Sequence, residues 1–153
     1  MQPGDRLVCA FIEPLPVGRE FKKWYLHVTI VAWFRLEDSS ESLAEGFQKA
    51  LTPIQPFEAK IGPEMKLRSK RHRGANQLET SYFTDIEPRV RIYLHKKRAW
   101  IVDETTKRRY PYRPHVTFQG DDRLHEGDSF YCDLLYIVEQ KGDYKIIEAE
   151  VLL

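Results

Sequence analysis

Two short segments of this sequence carry residues suited to proton transfer, His27-Val28-Thr29-Ile30 and His115-Val116-Thr117-Phe118. Each sets a histidine two positions before a threonine, with an apolar spacer between them and an apolar residue after. Imidazole titrates at about 6.5, so two rings held together can keep one neutral and one charged member near neutrality. The neutral ring takes a proton from an attacking water or hydroxyl, and the charged one gives a proton to a leaving oxygen. Threonine hydroxyls donate to non-bridging phosphate oxygens and stabilise the charge that builds there. The chemistry these four side chains would support is acid–base displacement at a phosphate ester, and no step of it requires a metal. One such tripeptide arises easily by chance, and a lone strand histidine is ordinarily structural. Two copies with the same kind of spacer and follower are the signal.

For the four groups to meet, each motif must lie in extended chain, where residues i and i+2 share a face. Both do lie in stretches rich in β-branched and aromatic residues, Trp24 to Phe34 and Tyr112 to Phe118. His27 and Thr29 then share one face, as do His115 and Thr117. Val28, Ile30, Val116 and Phe118 are left to pack under helices. A helical reading would scatter the same residues.

The surrounding pattern supplies the remaining elements. Arg6 to Glu13 reads as a strand closed by Pro14 and Pro16, and Val17 to Lys23 as a loop. Asp38-Ser39-Ser40-Glu41 opens a helix through Leu43, Phe47, Ala50 and Leu51, which Pro53 ends. Phe57 to Ile61 is a short strand stopped by Gly62-Pro63, and Gln77 to Phe83 is another. A second helix is expected to start near Pro88 and to run through Val90, Tyr93, Leu94, Lys97 and Ile101. Thr105 to Arg109 is polar and reads as a loop. Ser129 to Glu139 and Tyr144 to Leu153 are strands joined by a turn at Lys141-Gly142-Asp143. Strands and helices interleave without regular alternation. The expectation is an α+β fold of mainly antiparallel sheet flanked by helices, with two similar lobes facing a central cleft and residues 1–153 as one domain.

Composition limits the partners. The 24 basic and 23 acidic residues nearly cancel, so an attraction to polyanions must come from local clustering. Cys9 and Cys132 each sit in an apolar β-like run and read as small core residues. With no disulfide framework, no signal-peptide pattern after Met1 and no apolar run of about 20 residues, a soluble cytoplasmic protein is expected; a monomer is a separate expectation that these features do not decide.

The paired motifs resemble those of the 2H phosphoesterase superfamily, which includes RNA 2′,3′-cyclic phosphodiesterases and the bacterial proteins described as 2′-5′ RNA ligases. That family carries two H-x-[ST]-x motifs on a two-lobed α+β fold with pseudo-twofold symmetry. Pro114 before the second histidine, the helix after the first motif and the helix before the second are similar to it as well. The resemblance implies a metal-independent, cofactor-free enzyme that opens 2′,3′-cyclic phosphodiesters on RNA ends or small nucleotides. It makes His27 and His115 acid and base, in an order left open, and sets Thr29 and Thr117 on the phosphate. Many RNA-processing members have an arginine soon after the second motif. Here Phe118-Gln119-Gly120 follows and the next arginine is Arg123. An RNA-binding module without turnover, and RNA end-joining by the reverse reaction, are the competing expectations.

Strand parity adds four candidate substrate contacts. Arg113 and Tyr25 each lie two positions before a motif histidine, and Gln119 and Trp33 share the same parity further along. Strand aromatics are more often core, although Trp33 could stack on a base. Lys66, Arg68, Lys70, Arg71 and Arg73 form the densest basic run, either a solvated loop or a contact to an RNA backbone. His72, His95 and His125 read as surface residues. Asp121-Asp122 lacks a spaced ligand set, so no metal site is expected.

Overall fold

The structure, a computed structural model, describes residues 1–66, 74–79, 81–102 and 112–153. Its strands are β1 (Arg6–Phe11), β2 (Glu20–Phe21), β3 (His27–Arg35), β4 (Phe57–Lys66), β5 (Gly74–Leu78), β6 (Trp100–Ile101), β7 (His115–Thr117), β8 (Ser129–Cys132), β9 (Leu134–Gln140) and β10 (Lys145–Leu152). Two helices interrupt them, α1 (Ser40–Leu51) and α2 (Tyr82–Lys96). The strands form one open sheet in the order β2-β10-β9-β1-β3-β7-β5-β4-β8, with β6 added on β3. The pairings among the described residues are antiparallel, as an α+β fold requires. The two halves of the sheet meet where β3 pairs with β7, the two motif strands.

One face of the sheet is covered by the helices. Val8, Ala10, Val28, Ile30, Phe34 and Val116 pack there with Leu43, Phe47 and Leu51 of α1 and Phe83, Ile86, Val90 and Leu94 of α2. Ser39 caps α1 by accepting from the Ser42 backbone N–H at 3.1 Å. The helices approach closely because Gly46 has no side chain: a Cβ there would collide with the Tyr93 ring. On the opposite face a second apolar cluster joins Leu7, Cys9, Phe11, Phe21, Tyr136, Val138 and Ile147, with Trp24 and Trp33 against it. This cluster lies over β1, β9 and β10 and gives way to the polar motif residues at β3 and β7. Both cysteines are buried and free.

Several elements depart from the expected boundaries. β4 does not stop at Gly62-Pro63. Its register slips between Ile61 and Glu64, a place where Pro63 needs no ladder N–H, and the strand continues to Lys66. Phe57 to Lys60 pair with β8, whereas Ile61 before the slip and Glu64 to Lys66 after it pair with β5. α2 begins at Tyr82, six residues ahead of Pro88. Phe83 and Ile86 extend the buried stripe of Val90 and Leu94, and that packing outweighs the proline's missing N–H. Phe83 is therefore helical, and the strand expected over Gln77 to Phe83 is β5, ending at Leu78. α2 also ends early, because Arg98 turns into the left-handed region (φ 58°) and sends Trp100 and Ile101 to pair with Arg35 and Phe34. The segment Ser129 to Glu139 divides at Asp133 into β8, at one edge of the sheet, and β9, inside its other half. The loop expected at Thr105 to Arg109 lies outside the described residues. Among those described, no helix is long and apolar enough to cross a membrane.

Candidate active site

The site is set by one register. Val28 stands opposite Val116 in the antiparallel β3–β7 pair, so His27 faces Thr117 and Thr29 faces His115. Directly opposite residues carry their Cβ atoms about 5 Å apart. The four motif side chains thus occupy one compact patch of the sheet face away from the helices, while Val28 and Val116 are fully buried on the other. The midpoint of the pair is a local twofold that exchanges His27 with His115 and Thr29 with Thr117. All four side chains are half-buried, so solvent reaches the patch.

The same local device holds both rings. Nδ1 of His27 lies 2.8 Å from the Tyr25 carbonyl oxygen, and Nδ1 of His115 lies 2.8 Å from the Arg113 carbonyl oxygen. A carbonyl only accepts, so each Nδ1 carries the hydrogen and Nε2 is the ring atom that can exchange a proton with a substrate. Nε2 accepts a proton when its ring is neutral and donates one when the ring is charged. Tyr112 ties the segment ahead of β7 to β3 by donating its hydroxyl to the Thr29 carbonyl at 2.6 Å.

The surroundings break this symmetry. The His27 ring stacks on Trp24 with centroids 4.3 Å apart and planes 29° from parallel, and Phe11 meets it at 6.2 Å. These rings keep water from one side of the imidazole. Desolvation drives the His27 pKa down to about 4; a charged His115 pushes the same way, and the hydrogen bond to Tyr25 opposes both. His27 is therefore neutral through the neutral range. On the other side, β5 sets Gln77 opposite His115 and Ala75 opposite Thr117. Gln77, Met65, Leu78, Tyr112, Arg113 and Pro114 line a cavity of about 210 Å³ beside the second motif.

The other candidate contacts are distributed unevenly. Tyr25 and Arg113 precede their strands, so parity does not orient them, and it is their carbonyls that touch the imidazoles. The Tyr25 ring lies against Phe21 and Phe11, and its hydroxyl accepts from Arg19 at 3.3 Å. Arg113 is exposed and borders the cavity. Trp33 lies within the second of two register slips between β1 and β3 and packs 6.4 Å from Trp24, the ring that stacks on His27. Gln119 is buried in a turn where its backbone bridges Asp122. Arg123 lies 4.2 Å over Phe118 and pairs with Glu64 at 3.7 Å. By register Phe118 belongs to the face opposite His115, so Arg123 does not complete the motif patch. Lys66 is exposed at the end of β4, whereas Arg68, Lys70, Arg71, His72 and Arg73 lie outside the described residues. His95 and His125 are exposed. Among the described residues no group of three or more His, Cys, Asp or Glu could hold a metal ion.

Trp24 and Gln77 were not indicated by the motif pattern. A tryptophan three residues before a motif histidine is a weak cue, because its reach depends on the bend from Lys22 to Leu26. Gln77 becomes visible only once β5 is paired with β7.

The family profile of the 2′-5′ RNA ligase superfamily matches residues 9–143, a span that holds both motifs. No curated protein matches the sequence. Among solved structures, a protein of Thermus thermophilus superposes with a TM-score of 0.64 at 15% identity over 97% of each chain. E. coli LigT complexed with NADP+ superposes at 0.59 with 13% identity, covering 100% of this chain and 99% of that one. E. coli LigT complexed with ATP gives 0.55 at 13% identity over 99% of each. At such identities the likeness is one of fold.

Proposed function

Since this chain belongs to the 2′-5′ RNA ligase superfamily, we propose that it is a metal-independent phosphoesterase that hydrolyses 2′,3′-cyclic phosphodiesters of RNA ends or small nucleotides. The observation that carries this reading is the β3–β7 pair: two imidazoles anchored alike through Nδ1, each across the sheet from a threonine hydroxyl. A cyclic phosphate seated on this patch receives hydrogen bonds from Thr29 and Thr117 on its non-bridging oxygens. His27, neutral because it is desolvated, takes a proton through Nε2 from a water whose oxygen bonds to phosphorus. The bond from phosphorus to one ribose oxygen breaks, and that oxygen takes the proton from Nε2 of charged His115. The product is a phosphate monoester with a free ribose hydroxyl, and proton exchange with solvent resets the two rings. With the hydroxyl of a second RNA end in place of water, the same groups join ends instead. The basic run from Lys66 to Arg73 would hold the RNA backbone without reading its sequence.

The test is hydrolysis of nucleoside and oligonucleotide 2′,3′-cyclic phosphates by the wild type, His27→Ala and His115→Ala, with chelator present and with folding checked by circular dichroism. A positioned acid or base contributes ~10²- to 10⁴-fold, so each variant is expected to lose at least a hundredfold while remaining folded. Undiminished turnover in both variants removes the assignment, and loss of wild-type activity on chelation points to metal chemistry. Product analysis with a second RNA fragment present separates hydrolysis from joining, and salt-dependent RNA binding without turnover leaves a binding module.

A further inference from the structure

The cavity beside the second motif has no part in the proton transfers, yet it opens on the same face of the sheet. Gln77 stands opposite His115 and so lies one strand spacing from it, about 4.8 Å. Met65 pairs with Ala75, and Ala75 with Thr117, which sets Met65 on that face two strands from the motif. Tyr112, Arg113 and Pro114 close the cavity from the segment leading into β7, and Leu78 borders it at the end of β5. Of the six described residues that line it, four are apolar or aromatic and two end in planar polar groups. The carboxamide of Gln77 offers a donor and an acceptor side by side, and the guanidinium of Arg113 is a flat cation.

From this arrangement we infer that the cavity is a nucleobase subsite, which takes the base of the nucleoside whose ribose carries the cyclic phosphate. The inference rests on the proposed cyclic phosphodiesterase reading and adds to it a part of the substrate that the paired motifs do not touch. A volume of about 210 Å³ accommodates one base. Met65 and Pro114 offer apolar surface against which an unstacked base can be held, Leu78 and Tyr112 complete the lining while packing against the helix-side core, and an arginine plane can cover the other side. Gln77 answers the donor–acceptor edge of a base, as glutamine does when it pairs with adenine. Among the described residues that line it, Arg113 is the one cation beside mainly apolar groups, a lining that suits a base better than a second phosphate.

Two measurements test the subsite, and one of them needs no turnover. In the first, kcat/KM is compared for adenosine 2′,3′-cyclic phosphate, uridine 2′,3′-cyclic phosphate and the base-free 1-O-methylribose 2,3-cyclic phosphate. In the second, calorimetry compares the binding of adenosine 3′-phosphate with that of base-free ribose 3-phosphate. A base held by one net hydrogen bond and one apolar surface is worth on the order of tenfold or more. The wild type is expected to favour base-bearing ligands by at least that factor, and Gln77→Ala and Met65→Ala should each remove most of the ratio. Equal handling of base-bearing and base-free compounds by the wild type overturns the subsite, as does a ratio that survives in both variants. Hydrolysis without base preference leaves the catalytic reading standing and ends this one. Base-dependent binding without hydrolysis does the reverse.

Discussion

The two motif strands have the same chemistry in different settings. β3 is nine residues long, paired along much of its length with β1, and its histidine is walled by Trp24 and Phe11. β7 is three residues long, and its histidine adjoins a cavity lined from β4, β5 and the segment before it. Each imidazole is nonetheless anchored through Nδ1 to the carbonyl two residues earlier. A local twofold can thus duplicate proton-transfer groups while the flanking residues assign them unequal tasks. The walled ring is held neutral, and the ring beside the cavity is the one that the proposed reaction sets against the ribose.

If that division holds, the histidine variants should differ in more than lost rate. The fall of ~10²- to 10⁴-fold expected for each should be accompanied by opposite changes in the pH profile of the residual kcat/KM. A general base works only when neutral, so wild-type activity should fall as pH drops through the His27 pKa of about 4. His115→Ala should retain that acid limb and lose the basic one. His27→Ala should lose the acid limb. Identical profiles in the two variants would erase the comparison. Next in size are the hydroxyls. Thr29→Val and Thr117→Val each remove one donor to the developing phosphate charge, a loss of ~10²-fold. Similar losses in kcat confirm that the twofold extends to the threonines, whereas a loss confined to one shows that the phosphate sits off the axis.

A smaller effect isolates the aromatic wall. Trp24→Leu opens His27 to water, so its pKa should rise from about 4 toward the ordinary ~6.5. The protonated, inactive fraction at pH 5 then grows, and kcat/KM should fall there by about tenfold while changing little at pH 8. Trp24→Phe, which keeps an aromatic face, should restore most of the pH 5 activity. Equal loss at both pH values would mean that Trp24 supports only the fold. Histidine proton shifts followed by NMR in the same variants report the pKa directly.

What could be read from the sequence was local. Alternation placed His27 with Thr29 and His115 with Thr117, because both ends of each relation lie within three residues of extended chain. Ser39 and Pro53 marked α1 closely, since caps and breakers are also local. The limits of β4, α2 and β8 were not legible in the same way. Gly62-Pro63 breaks a strand unless a register slip absorbs it, Pro88 starts a helix unless packing extends the helix backwards, and only the partners of β8 and β9 divide the chain at Asp133. Parity does not reach to where the strand has not yet begun, as at Tyr25 and Arg113, whose contacts to the imidazoles come from main-chain oxygens. Gln77 and Trp24 depend on which strand lies beside which and on how a loop folds back, and no spacing rule encodes either.

The smallest effect is on stability, and its sign follows from the same desolvated ring. In the unfolded chain His27 binds a proton at about 6.5, whereas in the folded protein it does so only at about 4. Between these values the unfolded state holds more protons, so folding is favoured less as pH falls. The contribution is fully present above about 6.5 and is lost progressively on the way down to about 4. Its slope stays below the limiting ~1.4 kcal/mol per pH unit, because one ring makes the two states differ by less than one full proton at any pH. His27→Gln has nothing to titrate and should show a shallower drop in urea midpoint between pH 7.5 and pH 4.5 than the wild type. The carboxylates titrate in both proteins and cancel in the difference. A midpoint that drops as steeply in His27→Gln as in the wild type would show that folding does not desolvate this ring, and the contrast between the two strands would then lie in the cavity alone.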